Sequence, residues 1–209
     1  MIEIIPSILT NDPEEAREMI ARCEGVVDRI SIDIIDGKFA GNKTINPGML
    51  SDLDTGLKID YHLMVAEPVN WVERCLRGQA DRVIAQIEYM DDQLEFLAKV
   101  QGLGLGVGLA LDLETPVEKI NSAILTSLDI VLLMNVPAGF GGQKFIPSSI
   151  VKIKKLRAIY SGDIAVDGGV NDLVASDLIS AGANILAAGS YIFGAKNIKL
   201  AIERLKYAK

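Results

Sequence analysis

Hydrophobic residues recur along the chain in eight short runs, and each run is followed by a segment with helix or turn character. The runs are almost continuous in Ile, Val and Leu, which is typical of parallel strands that are buried on both faces. Helix-start signals lie between them, as at Asp12-Pro13-Glu14-Glu15, where an N-cap residue precedes a proline and two acids. The predicted strands span residues 3–7, 29–34, 58–64, 82–87, 106–111, 130–134, 163–166 and 185–188.

The alternation of strands with helical segments predicts the fold class. Further helix starts are expected at 67–68, 115–116, 146–147 and 171–172, and with helical patterns following the other strands the chain is interpreted as eight strand–helix pairs in 209 residues. We therefore expect a single domain, 1–209, of the α/β class with a (β/α)8 TIM barrel, a fold that takes about 200–250 residues. An open doubly wound sheet is the alternative, but its first strand-to-helix turn usually carries glycines, and residues 6–10 contain none.

Three glycine-rich turns follow the last three predicted strands. Glycine lets the backbone approach a ligand closely, and the N–H groups at a helix start attract anions. Each turn alone is a weak signal, because glycine turns in α/β folds often serve packing only. Together, at the ends of successive parallel strands, they predict a phosphate-binding site. The residues concerned are Gly139, Gly141, Gly142, Gly168, Gly169, Gly189 and Ser190.

Ionisable residues also fall at predicted strand ends, where barrel enzymes place their catalytic groups. Asp33 and Asp167 are expected on opposite sides of the ring, where they could face a substrate from its two sides. Such a pair suits removal of a proton next to a carbonyl and its return to the other face. The enediolate formed needs a metal ion or fixed donors. With His62, the only histidine, the two aspartates offer three ligands for a divalent cation and leave an open position.

Each of these residues also has a purely structural interpretation. A strand-end aspartate such as Asp33 often forms a turn or caps a helix, and a lone histidine such as His62 is more often a hydrogen-bonded core residue. Met64 and Met134 could simply fill the core. Their shared position with the glycine turns at strand ends favours the functional interpretation, and the irregular stretch 36–48 is a candidate active-site loop.

Seven stretches of the sequence, taken in order, match a known enzyme family. The chain resembles the ribulose-phosphate 3-epimerases over essentially its whole length. The resemblance implies a (β/α)8 barrel that interconverts D-ribulose 5-phosphate and D-xylulose 5-phosphate through an enediolate, within the carbohydrate metabolism of the pentose phosphate pathway. The matching stretches are PSIL at 6–9, IDIIDGKF at 32–39, HLMVAEP at 62–68, LLM at 132–134, GFGGQKF at 139–145, VDGGV at 166–170 and AGS at 188–190.

The resemblance also implies roles for individual residues. Asp33 and Asp167 match acid/base groups that are also metal ligands, and His62 matches a ligand histidine. Ser7 matches a substrate-contacting serine, and Met64 and Met134 match methionines beside the reacting carbons. The residues of the glycine turns match the phosphate-binding turns. A divalent Zn, Mn or Fe ion, a sugar-phosphate substrate and a homo-oligomer are further expectations from the resemblance.

The sequence departs from the family pattern at several positions near the sugar and the metal. Ser31 replaces a fourth ligand histidine, and a hydroxyl binds Zn²⁺-like ions less well than imidazole does. Gln86 replaces a second histidine, Pro137-Ala138-Gly139 replaces Asn-Pro-Gly, and Gly41-Asn42 replaces Pro-Asn. Two alternatives therefore stay open: an epimerase or isomerase of a related ketose phosphate such as a hexulose 6-phosphate, and a sugar-phosphate-binding homologue that has lost the chemistry.

The composition narrows the partners and the compartment. A net charge of −7 argues against nucleic acid, and no apolar run approaches the ~20 residues that span a bilayer, so no membrane is expected. Cys23 and Cys75 belong to no CxxC pattern and predict a reducing, cytoplasmic environment. The first nine residues are too short and too acidic for a signal peptide.

Overall fold

The computed structural model describes residues 2–208, and within them eight parallel strands close into a barrel in chain order. The (β/α)8 TIM-barrel prediction is confirmed, and every predicted strand is present with ends that differ by at most one residue. The strands are β1 (Glu3–Ile8), β2 (Arg29–Ile35), β3 (Lys58–Met64), β4 (Arg82–Gln86), β5 (Gly106–Leu111), β6 (Ile130–Met134), β7 (Asp163–Asp167) and β8 (Ile185–Ala188).

Helices pack around the strands, and the first begins where the sequence predicts. The side chain of Asp12 accepts a hydrogen bond from the Glu14 N–H and caps the first helix. In the described part of the chain, no helix is long and apolar enough to cross a membrane. The helices are α1 (Pro13–Cys23), α2 (Val72–Arg77), α3 (Gln93–Gly102), α4 (Ser149–Ile159), α5 (Ala175–Ala181), α6 (Ser190–Phe193) and α7 (Ile198–Lys206).

The prediction of eight strand–helix pairs is wrong for two units. Between β2 and β3 the described chain forms only the 3-10 turn Pro47–Leu50, and between β5 and β6 it forms the 3-10 turns Val117–Lys119 and Leu125–Ser127. In the second case Asn121 interrupts the helix, because its side chain accepts the Ala123 N–H and its own N–H donates to a side chain of α3. Local side-chain bonds of this kind compete with the helical ladder.

The alternation of side chains along each strand separates two apolar layers. On β2, Ile30, Ile32 and Ile34 pack outward against the helices, whereas Ile35 belongs to a second cluster inside the barrel. Since successive side chains point to opposite faces, Ser31 and Asp33 also point inward. The interior is therefore apolar in its middle layers and polar towards the carboxyl ends of the strands.

Candidate active site

Three chemically active side chains meet inside the barrel at the carboxyl ends of its strands. The register of β2 and β3 places Asp33 beside His62, and the Nδ1 atom of His62 lies 3.0 Å from Oδ1 of Asp33. One ligand atom from each of Asp33, His62 and Asp167 lies within 4.8 Å of the others. The structure thus brings together the three residues that the sequence nominated for a cation.

Asp33 and Asp167 come from strands that are three positions apart in the ring of eight, so they approach each other across the barrel interior. Closure of the barrel places β1 next to β8, so only these two strands separate β2 from β7. The hydroxyl of Ser7 on β1 lies between the carboxylates, 2.8 Å from Oδ2 of Asp33 and 3.5 Å from Oδ2 of Asp167. Because a hydroxyl carries one proton, Ser7 donates to Asp33 and can accept from a protonated Asp167.

The surroundings of Asp167 favour its protonated form. Burial, followed by the neighbouring charge of Asp33, raises the pKa of this carboxyl to about 7, against the opposing influence of His62 and of a hydrogen bond from the Gly168 N–H. Two carboxyl groups this close hold one proton more readily than none. The pair can therefore offer one carboxylate and one carboxylic acid near neutral pH.

A cavity of about 270 Å³ opens above the two aspartates. Its wall contains every residue that the sequence nominated for substrate or catalysis except His62, whose side chain is fully buried beneath the floor. The nominated residues in the wall are Ser7, Asp33, Met64, Met134, Gly139, Gly141, Gly142, Asp167, Gly168, Gly169, Gly189 and Ser190.

Sequence reasoning missed several residues of the cavity wall. Phe193 could have been found, because it lies three positions after Ser190 at the start of α6 and residues at that spacing share a helix face. Phe140 lies inside the matched stretch 139–145, but the resemblance assigned it no role. Leu9 and Gln143 also lie inside matched stretches without an assigned role, whereas Met19 and Val136 carried no signal in the sequence.

Two glycines of the predicted phosphate turns are required by packing. Gly169 has a φ of 66°, and a Cβ there would lie 2.7 Å from Cα of Phe145. A Cβ on Gly189 would lie 2.7 Å from the carbonyl oxygen of Ser7. Packing therefore accounts for glycine at these positions, and what points to a ligand is that both border the cavity. Ser190 also begins α6, and N–H groups in a first helical turn have no acceptor within the helix.

The loop after β2 is joined by a hydrogen bond to the glycine turn at 139–142, which borders the cavity. Nδ2 of Asn42 donates to the Gly139 carbonyl at 3.0 Å, so the Asn42 side chain links the two loops. Asp36 holds the base of the first loop. Partial burial opposes its ionisation, but N–H groups of Phe39, Ala66 and Lys38 outweigh that effect and lower the pKa of Asp36.

The departure from the family pattern at Ala138 has a structural counterpart. The Ala138 N–H donates to Oδ1 of Asp112, just beyond the end of β5, at 2.8 Å. A proline at this position could not make the bond, because proline has no N–H. In this sequence, a hydrogen bond of Ala138 therefore fixes the start of the glycine turn, where the family pattern has the rigid ring of a proline.

The donor set of the three ligand candidates fits a divalent cation. One imidazole and two carboxylates suit Zn²⁺, Mn²⁺ or Fe²⁺, and three protein ligands leave a position for substrate. Ser31 lies two residues before Asp33 on the same inward face and is buried, but its hydroxyl is a weak substitute for a ligand histidine. On the far side of His62, the amide of Gln86 lies against the ring, with Nε2 of Gln86 3.2 Å from Nε2 of His62.

A parallel barrel with a cavity that holds two carboxyl groups at the carboxyl ends of its strands defines a (β/α)8-barrel enzyme. The family model described as "Ribulose-phosphate 3 epimerase family" matches residues 3–193. The chain belongs to the ribulose-phosphate 3-epimerase family, and it is accordingly an isomerase of the epimerase type.

Individual relatives support the same assignment. The ribulose-phosphate 3-epimerase of Bacillus subtilis (strain 168) is 37% identical over 218 aligned positions, which cover 100% of this chain and 100% of that protein. The chloroplastic ribulose-5-phosphate-3-epimerase of Arabidopsis thaliana is also 37% identical, over 100% of this chain and 77% of that protein.

Solved structures of other enzymes share the fold at much lower identity. A 3-hexulose-6-phosphate synthase superposes with a TM-score of 0.71 at 17% identity, covering 100% of this chain and 99% of that chain. A mutant tryptophan synthase α-subunit from the hyperthermophile Pyrococcus furiosus gives 0.72 at 15% identity, covering 99% of both chains. Likeness at this identity extends to the barrel fold alone.

Proposed function

We propose that the protein interconverts D-ribulose 5-phosphate and D-xylulose 5-phosphate by removing and returning the proton at C3. The observation that carries the proposal is the Asp33–Ser7–Asp167 arrangement on the floor of a cavity bordered by three glycine turns. The names of the full-length relatives agree with this reaction. A module that only bound phosphate would need neither carboxyl group.

The proton balance follows from the charge state of the carboxyl pair. Asp33, as the carboxylate, takes the proton from C3 of one epimer, and Asp167, as the acid, delivers its proton to the opposite face of the same carbon. The pair then holds one proton as before, with the two roles exchanged for the reverse reaction. The raised pKa of Asp167, to about 7, favours this division of roles.

The remaining residues of the cavity would bind and orient the substrate. The glycine turns receive the phosphate group, which places the sugar carbons above Ser7 and the two aspartates. The thioethers of Met64 and Met134, both nearly fully buried, line the cavity with polarisable, apolar atoms and keep water away from the reacting carbons.

We also propose that Asp33, His62 and Asp167 hold a divalent cation. When bound, such an ion supplies positive charge to the oxygens of the enediolate. A cation next to Asp167 opposes protonation of that carboxyl group, so metal occupancy and the acid role compete for the same side chain. For this reason the metal dependence of the rate is as informative as the rate itself.

The first test is an assay of the purified protein on ribulose 5-phosphate. After chelation, the protein is supplied with Zn²⁺, Mn²⁺ or Fe²⁺, and epimerisation and exchange of the C3 proton in D₂O are both followed. We expect exchange that needs one of these ions. Exchange that occurs only with a hexulose 6-phosphate would contradict the proposed substrate and indicate that the enzyme acts on this related ketose. Binding of both sugars without exchange would instead indicate a homologue that has lost the chemistry.

The second test restores the missing ligand. Ser31→His is expected to raise Zn²⁺ affinity at least about 10-fold, since even outer-shell partners of a metal change affinity by about 10–100-fold. The measurement is competition with a chelator of known affinity. Ser51→His, on the exposed surface after the Pro47–Leu50 turn, is the matched control and should leave affinity unchanged. If both variants behave alike, Ser31 does not border the cation site.

Two wider expectations stay predictions. A homo-oligomer follows only from the family resemblance, and light scattering of the purified protein would measure its mass in solution. The cytoplasmic location follows from the cysteine pattern of Cys23 and Cys75, both of which are free and buried.

A further inference from the structure

The amide of Gln86 makes its one hydrogen bond to the ring of His62. Both side chains are fully buried, and Nε2 of Gln86 lies 3.2 Å from Nε2 of His62. The other amide atom, Oε1 of Gln86, has no hydrogen-bond partner among the described residues. A buried acceptor left unpaired is costly, by about 1–3 kcal/mol. The described protein therefore leaves one buried acceptor beside this ring, Oε1 of Gln86, without a hydrogen bond.

This contact fixes which ring nitrogen of His62 carries the proton. An amide NH₂ group only donates, so Nε2 of His62 must accept. The proton of the neutral ring then lies on Nδ1, which donates to Oδ1 of Asp33 at 3.0 Å. In this form the Nδ1 lone pair is not free for a cation. A cation can bind Nδ1 of His62 only after the proton has left this nitrogen.

Rotation of the Gln86 amide by a half turn gives the opposite arrangement. The amide has nearly the same shape in both orientations, so the rotation needs no new space. Oε1 then accepts a proton from Nε2 of His62, and the lone pair of Nδ1 points at the carboxylate of Asp33. Two electron-rich atoms facing each other at about that distance repel unless a cation lies between them.

We propose that Gln86 is a positioning residue that selects the tautomer of His62: Nδ1–H without a cation, and Nε2–H with a cation bound to Nδ1. The inference rests on the cation proposed for Asp33, His62 and Asp167. In a metal site, the ring nitrogen of a ligating histidine that faces away from the metal usually donates its proton to an acceptor. The inference gives this acceptor role to Gln86. The amide can serve both states because it carries both a donor and an acceptor.

His62 is the only histidine in the chain, so its ring can be observed without assignment. In protein labelled with ¹⁵N-histidine, the nitrogen chemical shifts distinguish a protonated from an unprotonated ring nitrogen. We expect a protonated Nδ1 in the chelated protein and a protonated Nε2 after addition of Zn²⁺. A protonated Nε2 in the chelated protein would overturn the inference, and so would Zn²⁺ binding with an unchanged tautomer.

A variant test separates this inference from the proposed function. Gln86→Met keeps the length of the side chain and removes both polar groups; it should weaken Zn²⁺ binding about 10-fold. Gln101→Met, at an exposed position on α3, should leave it unchanged. Equal Zn²⁺ affinity in both variants would overturn the role of Gln86 and leave the epimerase proposal intact. Conversely, exchange of the C3 proton without any cation would contradict the proposed metal site. The ¹⁵N shifts of the chelated protein would still test the Nδ1–H state that the Gln86 contact requires.

Discussion

Replacing Asp33 or Asp167 by asparagine is expected to lower the rate of C3 proton exchange by about 10²- to 10⁴-fold each, the usual contribution of a general acid or base. An amide neither accepts nor delivers the substrate proton in the way that the carboxyl pair does. The measurement is loss of the C3 proton of ribulose 5-phosphate in D₂O, followed by NMR in parallel with binding of the same sugar. Binding should survive, because the glycine turns are unchanged.

The two variants should differ in stability, which distinguishes a catalytic role from a structural one. Asp33 accepts from Ser7 and His62 in a buried site, so Asp33→Asn leaves one of these partners poorly matched and should destabilise the protein by about 1–3 kcal/mol. Asp167 is different, because burial beside Asp33 disfavours its charge. Asp167→Asn removes that charge and should leave the melting temperature unchanged or raised.

Ser7→Ala is the matched control for this pair of variants. It removes the hydroxyl between the two carboxyl groups and keeps both of them, so the rate should fall much less than in either asparagine variant. If Asp33→Asn and Asp167→Asn retain exchange at the level of Ser7→Ala, the two-carboxyl mechanism is wrong. If both variants also lose sugar binding, the loss of rate cannot be assigned to proton transfer.

The barrel itself could be predicted because its strands are buried on both faces. Their almost continuous apolar runs predict each strand end to within one residue. The predicted end of β7, for example, is residue 166, and the strand ends at Asp167. The helices were harder to predict. Thr115-Pro116 resembles a helix start, but Asn121, a few residues later, offers local hydrogen bonds that end the turn. Local competition of this kind is settled by contacts that the sequence does not display.

The site could be predicted as a set of residues but not as a geometry. Strand ends placed Asp33, His62 and Asp167 at one rim, whereas the neighbour relations depend on how the ring closes and on the register between strands. The position of Ser7 between the aspartates follows from the adjacency of β1 to both β2 and β8. The contact of Gln86 with His62 needs β3 and β4 aligned side by side, which no motif encodes.

The phosphate end of the site makes the other large prediction. Gly169→Ala should lower kcat/KM for ribulose 5-phosphate about 10²-fold, the scale of loss that follows when a substrate is displaced by about 1 Å. Gly169 has a φ of 66°, and an added Cβ would lie 2.7 Å from Cα of Phe145. Because the obstacle is backbone, it cannot rotate away, and either the VDGGV turn or the segment at Phe145 must move.

A glycine far from the site separates backbone strain from displacement of the turn. Gly104 has a φ of 73°, but a Cβ there would meet no atom within 4 Å, and it lies before β5 at the opposite end of the barrel. Both alanine variants should lose about 1–3 kcal/mol of stability from the unfavourable φ. Only Gly169→Ala should lose kcat/KM and sensitivity to inhibition by inorganic phosphate. If it keeps both, the VDGGV turn is held by packing alone and the phosphate must be bound elsewhere in the cavity.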